Sequence, residues 1–590
     1  MAAAGQPTDE ERYVLHQVAA GQSADLLEKF VLPVMTPEHR RLAREKGLTG
    51  YLDFLEASNL QEKQDFLQKY RKTLQMGAHF LEELLTGALA TQRHHRGVMI
   101  KNAIISEPLD LKSAEVPCEV ELINCEFQED VNFQDSRFEK NLRMDGCRFA
   151  GEAHFLKMTV RKSAYFRGAT FEGRANFNGI DLGDSLNMDH TRFRSLNPAS
   201  FDSSKIDKSA YFLKAEFSGP VKFRRAYVGD ELNFGALTER SIFNRGLDLT
   251  GSKIGSHFAM RGATIIGPVK FVGLKVGSDF YLEQAIIFGS SEFTGADIKG
   301  SLKAQKTWFL GPHYPMKPEN NYAAIFPDMK VGHVANFEEA VFLREVNLSR
   351  VHVGLELRAN NAKFYHQEKA LDAIELKVGT IAYFEDADFL GPVNFAGADI
   401  GGIFNAAGAG FHSTAPAIFS GIKVGELAQF TEVEFRGPVL FSRAEVGGKL
   451  ITKVEDEKKE GAIIRGAVFG GEVSGSELSF ADAKITDLEL QGTDRTPFYI
   501  HNLDLKRLRV DKDLSLESAT VINLEAANLQ VIGQASLKNT KITHKADFSY
   551  SSFGTLKIEM NINDWPPRHQ ERENIVESEN KPLRYLVWVN

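Results

Sequence analysis

Two interleaved rows of bulky apolar residues run through this chain, and each row advances by eleven residues. One row comprises Leu111, Leu122, Phe133, Met144, Phe155, Phe166, Phe177 and Met188. The other comprises Ile105, Val116, Phe127, Phe138, Phe149, Val160, Phe171, Leu182 and Phe193. Taken together, the rows alternate between steps of five and six residues, which fits neither an amphipathic helix nor an alternating strand. A fixed repeat of this length predicts one small unit stacked many times.

Four sides of five, six, five and six residues make a coil of 22, so residues 22 apart stack at the spacing of neighbouring strands, about 4.8 Å. The residue two positions before most bulky residues is small, as with Cys125 before Phe127 and Ala164 before Phe166. This pattern, in which a small residue precedes the bulky residue by two positions, predicts a short extended side followed by a tight corner. The expected interior ladder contains Phe127, Phe133, Phe138, Phe149, Phe155, Phe166, Phe171, Phe177 and Phe193.

Three domains are expected. Residues 1–97 lack the eleven-residue step and show helical patterns, so they predict an α-helical capping domain, with a separate binding module as the alternative. Residues 98–560 form the repeat region, about 20 coils in all, whose rhythm weakens from about Val473. Residues 561–590 form a charged, Pro-rich tail with an apolar end, which would cover the last coil or form a homodimer through the C-terminal end.

The six-residue sides have two alternating sequence patterns, which we assign to opposite corners of a square coil. One is Phe-x-Gly-Pro-Val-x-Phe, as from Phe217 to Phe223, and the other begins Val-Gly, as from Val228 to Phe234. Several insertions fall at the Gly-Pro corner; they lie at Phe193 to Phe201, Phe309 to Phe326, Phe364 to Ala373 and Phe411 to Phe419. Two more, after Phe234 and near Lys453–Gly461, follow the adjacent side.

Insertions gathered on one edge of a solenoid often mark its binding face, although a corner that simply tolerates loops is the alternative. The longest insertion is rich in Pro, Tyr and Asn. Tyr314, Met316 and Tyr322 are the candidate partner-binding residues, because aromatic residues and Met are enriched at interfaces. The alternative is that these side chains pack back on the wall of the solenoid.

The repeat resembles the pentapeptide-repeat proteins, whose unit is small-polar-Leu/Phe-x-x. It is spelled here by Ala164-Tyr165-Phe166, Ala169-Thr170-Phe171 and Ala175-Asn176-Phe177. The resemblance implies a right-handed quadrilateral β-helix over about residues 98–558. With its helical head, the chain also resembles a group of large bacterial members, some of which carry the label membrane-associated oxidoreductase.

The sequence offers little chemistry. It contains no His-Glu-x-x-His, Cys-x-x-Cys, Gly-x-Ser-x-Gly or Walker motif, so we expect no catalytic residue, cofactor or metal, and enzymatic activity is doubtful. Cys125 and Cys147 lie 22 apart, which places them side by side as small interior residues. No signal peptide and no run of about 18 apolar residues is present, so we expect a cytoplasmic protein, with peripheral membrane association left open.

The first functional hypothesis is a non-enzymatic scaffold that binds a protein along the inserted edge. The second is a DNA mimic acting on a topoisomerase, which the family resemblance suggests. A net charge of −9 spread over 590 residues is thin for such a mimic and also speaks against a nucleic-acid partner. An oxidoreductase, as some relatives are labelled, is the least favoured hypothesis.

Overall fold

The computed structural model describes residues 7–31, 71–89, 94–312, 322–452, 468–469, 477–491 and 498–559. The chain is an all-β solenoid of about 19 coils of roughly 22 residues, preceded by a small helical region. It divides into two compact units, Met1–Ala285 and Ile286–Asn590. The division into domains at residues 97 and 560 stays a prediction.

Each regular coil contributes one short strand to each of four faces, which we number in chain order. Consecutive coils pair in parallel, and in the regular part of the first unit the register is 22 residues, as from Phe127 to Phe149 to Phe171.

The strands of face 1 are Glu115–Val116, Arg137–Phe138, Thr159–Val160, Asp181–Leu182, Lys205–Ile206, Tyr227–Val228, Lys253–Ile254 and Lys275–Val276 in the first unit, and Asp297–Ile298, Lys330–Val331, His352–Val353, Lys377–Val378, Asp399–Ile400, Lys423–Val424 and Arg509–Val510 in the second. The strands of face 2 are Val98–Lys101, Val120–Ile123, Leu142–Arg143, Ala164–Tyr165, Leu186–Asn187, Ala210–Tyr211, Leu232–Asn233, Phe258–Ala259 and Phe280–Tyr281, and then Leu302–Lys303, Val334–Asn336, Glu356–Arg358, Ile381–Tyr383, Ile403–Asn405, Leu427–Gln429 and Leu514–Glu517.

The strands of face 3 are Ile104–Ile105, Glu126–Phe127, Arg148–Phe149, Thr170–Phe171, Arg192–Phe193, Glu216–Phe217, Ile242–Phe243 and Thr264–Ile266, and then Ile286–Phe288, Trp308–Phe309, Val341–Phe342, Lys363–Phe364, Asp388–Phe389, Gly410–Phe411, Glu434–Phe435 and Val468–Phe469. The strands of face 4 are Leu109–Asp110, Val131–Asn132, Ala153–His154, Ala175–Asn176, Ala199–Ser200, Val221–Lys222, Leu247–Asp248 and Val269–Lys270, and then Ser291–Glu292, Tyr322–Ile325, Glu345–Asn347, Leu371–Asp372, Val393–Asn394, Ala417–Ile418, Val439–Leu440 and Glu477–Ser479.

The last coils of the second unit have longer strands. Four of them run through faces 1 and 2 without a break: Glu445–Ile451, Lys484–Gln491, Gln530–Lys538 and Ser552–Glu559. Three others continue face 4: Phe498–Asp504, Ala519–Glu525 and Lys541–Asp547. Register shifts replace the corners inside several of these strands, as between Val531 and Gln534.

Two kinds of corner explain the steps of five and six. After faces 2 and 4 the chain turns through a residue with positive φ, which recurs every eleven residues at Asn124, Asp135 and Gly146. The turn is closed by a backbone hydrogen bond, from Ser136 N to Phe133 O at 3.2 Å. After faces 1 and 3 the chain bends more gently, and these are the Val-Gly and Gly-Pro corners predicted to lie opposite each other.

Glycine at the corner between faces 1 and 2 has a steric cause. A Cβ on Gly379 would lie 2.0 Å from the carbonyl oxygen of Gly354, and a Cβ on Gly401 would lie 2.1 Å from that of Gly379. A side chain at either position would clash at this distance, so these coils carry glycine where the chain passes close to the coil before it.

The interior is a set of stacked rings. All nine Phe residues of the expected ladder are buried. Phe171 stacks between Phe149 and Phe193 with ring centroids 4.7 and 4.8 Å away, and Phe155 stacks on Phe177 at 4.6 Å. Burying one such ring contributes on the order of 1.5–3 kcal/mol, so these columns form the core.

The described part of the helical region is joined to the first coils. Helix α1 (Asp9–Ala20) begins with a capping box of Thr8 and Glu11, and α2 (Ala78–Thr86) ends at Gly87 in the left-handed conformation. Two strands of this region extend the solenoid ladders: Ala24–Asp25 pairs with Ile100–Lys101, and Gln75–Met76 pairs with Ile104–Ile105. A 3-10 turn (Arg71–Leu74) and a π-helical turn (Leu27–Val31) complete it.

Candidate functional site

The inserted corner, which is the corner between faces 3 and 4, carries the four insertions predicted to share one edge. They fall between Phe193 and Ala199 in the first unit. In the second unit they fall between Phe309 and Tyr322, between Phe364 and Leu371, and between Phe411 and Ala417. The insertion after Phe234 lies elsewhere, between faces 2 and 3, and contains a small antiparallel hairpin of Gly235–Ala236 and Glu239–Arg240.

Two of these insertions have the same local sequence, Ser-x-x-Pro-Ala, and form the same turn. The Ser195 hydroxyl accepts a hydrogen bond from Asn197 N at 3.2 Å, and the Ser413 hydroxyl accepts one from Ala415 N at 3.1 Å. A serine side chain that binds the backbone two residues on fixes a turn. The loops are therefore shaped by their own sequence.

The insertion at residues 365–369 is held in place by ion pairs. Lys369 Nζ lies 2.7 Å from Glu345 and 3.2 Å from Asp372. Burial lowers the pKa of Lys369, but the hydrogen bonds to the two carboxylates outweigh it, so the pKa is raised overall. His366 Nδ1 closes the loop against the backbone of Lys369.

The Gly-Pro pair in the following coil makes room for each of these three loops. A Cβ on Gly219 would lie 2.2 Å from Asn197 O, one on Gly391 would lie 2.2 Å from His366 O, and one on Gly437 would lie 2.5 Å from Ala415 O. The prolines at 220, 392 and 438 keep only a carbonyl, which accepts a hydrogen bond from the strand that follows the loop. The loops thus pack on the wall as a raised edge.

Of the three predicted contact residues of the longest insertion, the structure describes one. Tyr314 and Met316 lie outside the described residues, as do Lys453–Gly461 and the C-terminal tail. Tyr322 begins a face 4 strand and is half-buried. Burial raises its pKa, the Glu292 carboxylate raises it further, and a hydrogen bond to Ser290 opposes the rise.

A second feature, which the sequence reasoning missed, is the outer surface of face 3 in the second unit. On each strand the residues on either side of the inward Phe or Ile point outward. These outward positions form two apolar rows, one over three successive coils and one over five, which we call the outer apolar rows. They contain Ile286, Trp308 and Val341 in one row, and Phe288, Leu310, Leu343, Tyr365 and Leu390 in the other.

Four side chains of the outer apolar rows are strongly exposed: Trp308 by 49%, Phe288 by 44%, Leu343 by 42% and Tyr365 by 41%. The rows end in charge, where Asp388 lies 2.5 Å from Lys363 and 3.4 Å from His412. Burial raises the pKa of Asp388, but the hydrogen bonds from the Lys363 and His412 side chains outweigh it and the pKa is lowered overall.

Among the described residues, two further features, a pair of cysteines and a small notch, do not form a binding site. Cys125 and Cys147 are buried, adjacent and unbridged, and the Cys147 thiol donates to Leu122 O at 3.1 Å. Burial raises the pKa of Cys147 well above its usual value, so the thiol stays protonated. A notch of about 190 Å³ between Gly391, Phe411 and Gly437 is smaller than an ordinary ligand pocket of about 300 Å³ or more. Within the described ranges, no group of His, Cys, Asp and Glu is arranged to hold a metal.

Comparison with known proteins agrees with the fold. The family model described as pentapeptide repeats (9 copies) matches residues 145–192, which lie in the first unit. The solenoid and this match fit a pentapeptide-repeat protein. The comparisons with curated proteins and with solved structures found no match.

The pentapeptide-repeat solenoid is consistent with a scaffold or interaction protein. No helix among the described residues is long and apolar enough to span a membrane.

Proposed function

We propose that this pentapeptide-repeat solenoid is a non-enzymatic scaffold that binds a protein partner along the inserted corner. What supports the proposal is that the insertions at this corner are built into the wall. Three of them pack their backbone carbonyls on a Gly-Pro pair of the next coil. These contacts hold the bases of the three loops in place, so the loops present a fixed edge to a partner.

The exposed tips of this edge would make the contacts. Gln367, Glu368 and Thr414 are exposed on loops whose bases are fixed, so they present polar groups with little freedom to lose on binding. Tyr314, Met316 and Tyr322 remain the predicted contacts of the longest loop. A protein is the expected partner rather than a nucleic acid, because charges on the described walls alternate in sign, as along Glu126, Arg148 and Glu172.

The helical region is proposed as the cap of the first coil. Its two strands occupy the ladder positions that an earlier coil would fill, at Ala24–Asp25 and Gln75–Met76. Closing an exposed sheet edge in this way prevents pairing with another chain. The tail is proposed to serve the other end.

The test is photo-crosslinking in cells from defined positions. A photo-reactive amino acid at Gln367 or Thr414 should capture a protein that the same residue at Glu426, exposed near the opposite corner, does not capture. The captured protein, once purified, should bind the whole chain and lose affinity when residues 311–321 are deleted.

The matched control is deletion of 236–239, which shortens the hairpin between faces 2 and 3. If both deletions leave binding unchanged, or if crosslinks from all positions give the same proteins, the inserted corner is not the binding edge.

A further inference from the structure

The outer apolar rows lie on the outward surface of one parallel sheet. The five strands from Ile286–Phe288 to Asp388–Phe389 follow one another in register, so the longer row extends over four strand spacings, about 19 Å. An apolar patch that gathers Phe288, Trp308, Leu343 and Tyr365 on one surface marks an interaction site. A sheet surface of this kind can pack against the surface of another sheet.

We propose that a second copy of the chain packs on face 3 of the second unit, sheet against sheet, with the outer apolar rows at the centre of the contact. This proposal does not rest on the inserted corner. It concerns the strands themselves, whose outward side chains would interdigitate with those of the partner as in two stacked sheets about 10 Å apart.

Strand spacing favours a second copy over a helix. Side chains in each outer apolar row repeat at the distance between paired strands, about 4.8 Å, and a helix repeats at about 5.4 Å per turn. The two spacings fall out of step over the length of the rows. A second copy carries the same spacing, and its own apolar rows cover the same number of strands, so the contact is self-complementary.

Charge on the rest of the face is also compatible with a second copy. Beyond the apolar rows, Lys363 pairs with Asp388 and Glu434 pairs with Arg436 at 2.9 Å. Both signs occur on neighbouring strands, so two copies would not meet as two fields of one sign. Wherever like charges oppose each other in a contact, they destabilise it.

Size gives the third argument. Face 3 of the second unit has seven strands from Ile286–Phe288 to Glu434–Phe435, each with two outward positions. A standard interface has about 20 residues or more on each side, and these outward positions supply roughly two thirds of that number. The loops of the neighbouring inserted corner can supply the remainder.

The decisive experiment compares two leucines in the full chain. Leu343 lies in the outer apolar rows and is 42% exposed, and Leu355 lies near the corner between faces 1 and 2 and is 45% exposed. We expect the unmodified chain to form a dimer in sedimentation velocity, and Leu343→Arg to weaken dimerisation by at least about 30-fold, as for a central interface residue. Leu355→Arg should leave the dimer intact.

The proposal is overturned if the unmodified chain sediments as a monomer at every concentration, or if both arginine variants weaken the dimer equally. A melting curve shows whether Leu343→Arg still folds. If it does not, a photo-reactive residue at Leu310 decides the matter. Crosslinks between two copies within residues 286–436 support the proposal, whereas no crosslink between copies, or crosslinks to other regions, refute it.

Discussion

Face 3 has a column of stacked Phe rings inside both units, but its exterior differs between the stretch from Glu126 to Arg194 and the stretch from Ile286 to Leu390. In the first unit the inward column Phe149, Phe171 and Phe193 is covered outside by a ladder of charges. Arg148 bridges Glu126 at 3.2 Å and Glu172 at 3.4 Å, and Arg194 continues the ladder to Glu172 at 3.2 Å. In the second unit the inward column of Phe309, Phe342 and Phe364 has apolar residues outside.

The difference shows that the fold depends on the inward side of each strand and leaves the outward side free. Stacked rings need only every second residue of a strand, because successive side chains point to opposite faces. The outward positions can therefore become salt-bridge ladders on one stretch and apolar rows on another without changing the coil. Function on such a scaffold resides in outward rows and corner insertions.

The largest effects are expected inside, and they should be equal in the two units. Phe171→Ala and Phe342→Ala each remove a ring stacked between two others, and the ring centroids of Phe342 lie 5.0 Å from those of both its neighbours. Each change should lower the free energy of unfolding by about 3–5 kcal/mol, because the fixed neighbouring coils cannot close the cavity. Denaturant unfolding measures it. A loss below 1 kcal/mol at either position would contradict the shared interior.

A smaller effect is expected from the charge ladder of the first unit. Arg148→Ala leaves Glu126, whose side chain is only 5% exposed, without its arginine, so the expected loss is about 1–2 kcal/mol. Arg194→Ala is the matched control, since its partner Glu172 is more exposed, and should cost less than about 1 kcal/mol. Equal losses would mean that burial of the carboxylate does not matter here.

The charged end of the outer apolar rows should give a pH-dependent effect. The pKa of Asp388 is lowered in the folded chain, so its ion pairs stabilise the fold above the unfolded-state pKa of about 3.9 and this contribution is lost as pH falls through the lower folded value. Asp388→Asn should therefore destabilise by up to about 1 kcal/mol at pH 7 and by less at pH 3. Unfolding curves at both pH values test the sign; a difference that grows on acidification would reverse it.

The smallest effects are expected from exchanging outward residues between the units. Trp308→Thr copies the residue at the corresponding position in the first unit, and Thr170→Trp makes the reverse change. At concentrations where the chain is monomeric, both should leave the free energy of unfolding within about 0.5 kcal/mol of the original, because both positions point outward. Thermal melts measure the two variants together. A large loss from either one would mean that outward residues also determine the coil.

The sequence is sufficient to predict the interior and the corners. The eleven-residue rows identify the inward Phe and aliphatic residues, and the two sequence patterns identify opposite corners, because the Val-Gly and Gly-Pro pairs fall at the gentle bends. The insertions at Phe193, Phe309, Phe364 and Phe411 are therefore assigned correctly to one corner. The merged strands after Glu445 are not predicted, since the rhythm weakens there and a register shift leaves no fixed spacing to read.

The outer apolar rows do not follow from the eleven-residue pattern, because that pattern identifies inward positions only. Their signal is present as a bulky apolar residue on one or both sides of the inward residue in five successive coils, as in Ile286-Ile287-Phe288 and Trp308-Phe309-Leu310. One such triplet means little, since single exposed apolar residues are ordinary. Only the register, which aligns the triplets, makes them a surface. Tyr314 and Met316 remain predictions.

The loops that rest on glycine also bear on how such a chain finds its alignment during folding. Nearly identical coils offer many wrong pairings, and a strand displaced by one whole coil still places most of its inward residues on bulky apolar ones. At an inserted corner that error is penalised: the carbonyl of His366 would meet a coil without the Gly391–Pro392 pair that accommodates it. The irregular corners thus distinguish one coil from the next, so the interruptions of the repeat help to select a single alignment of its strands.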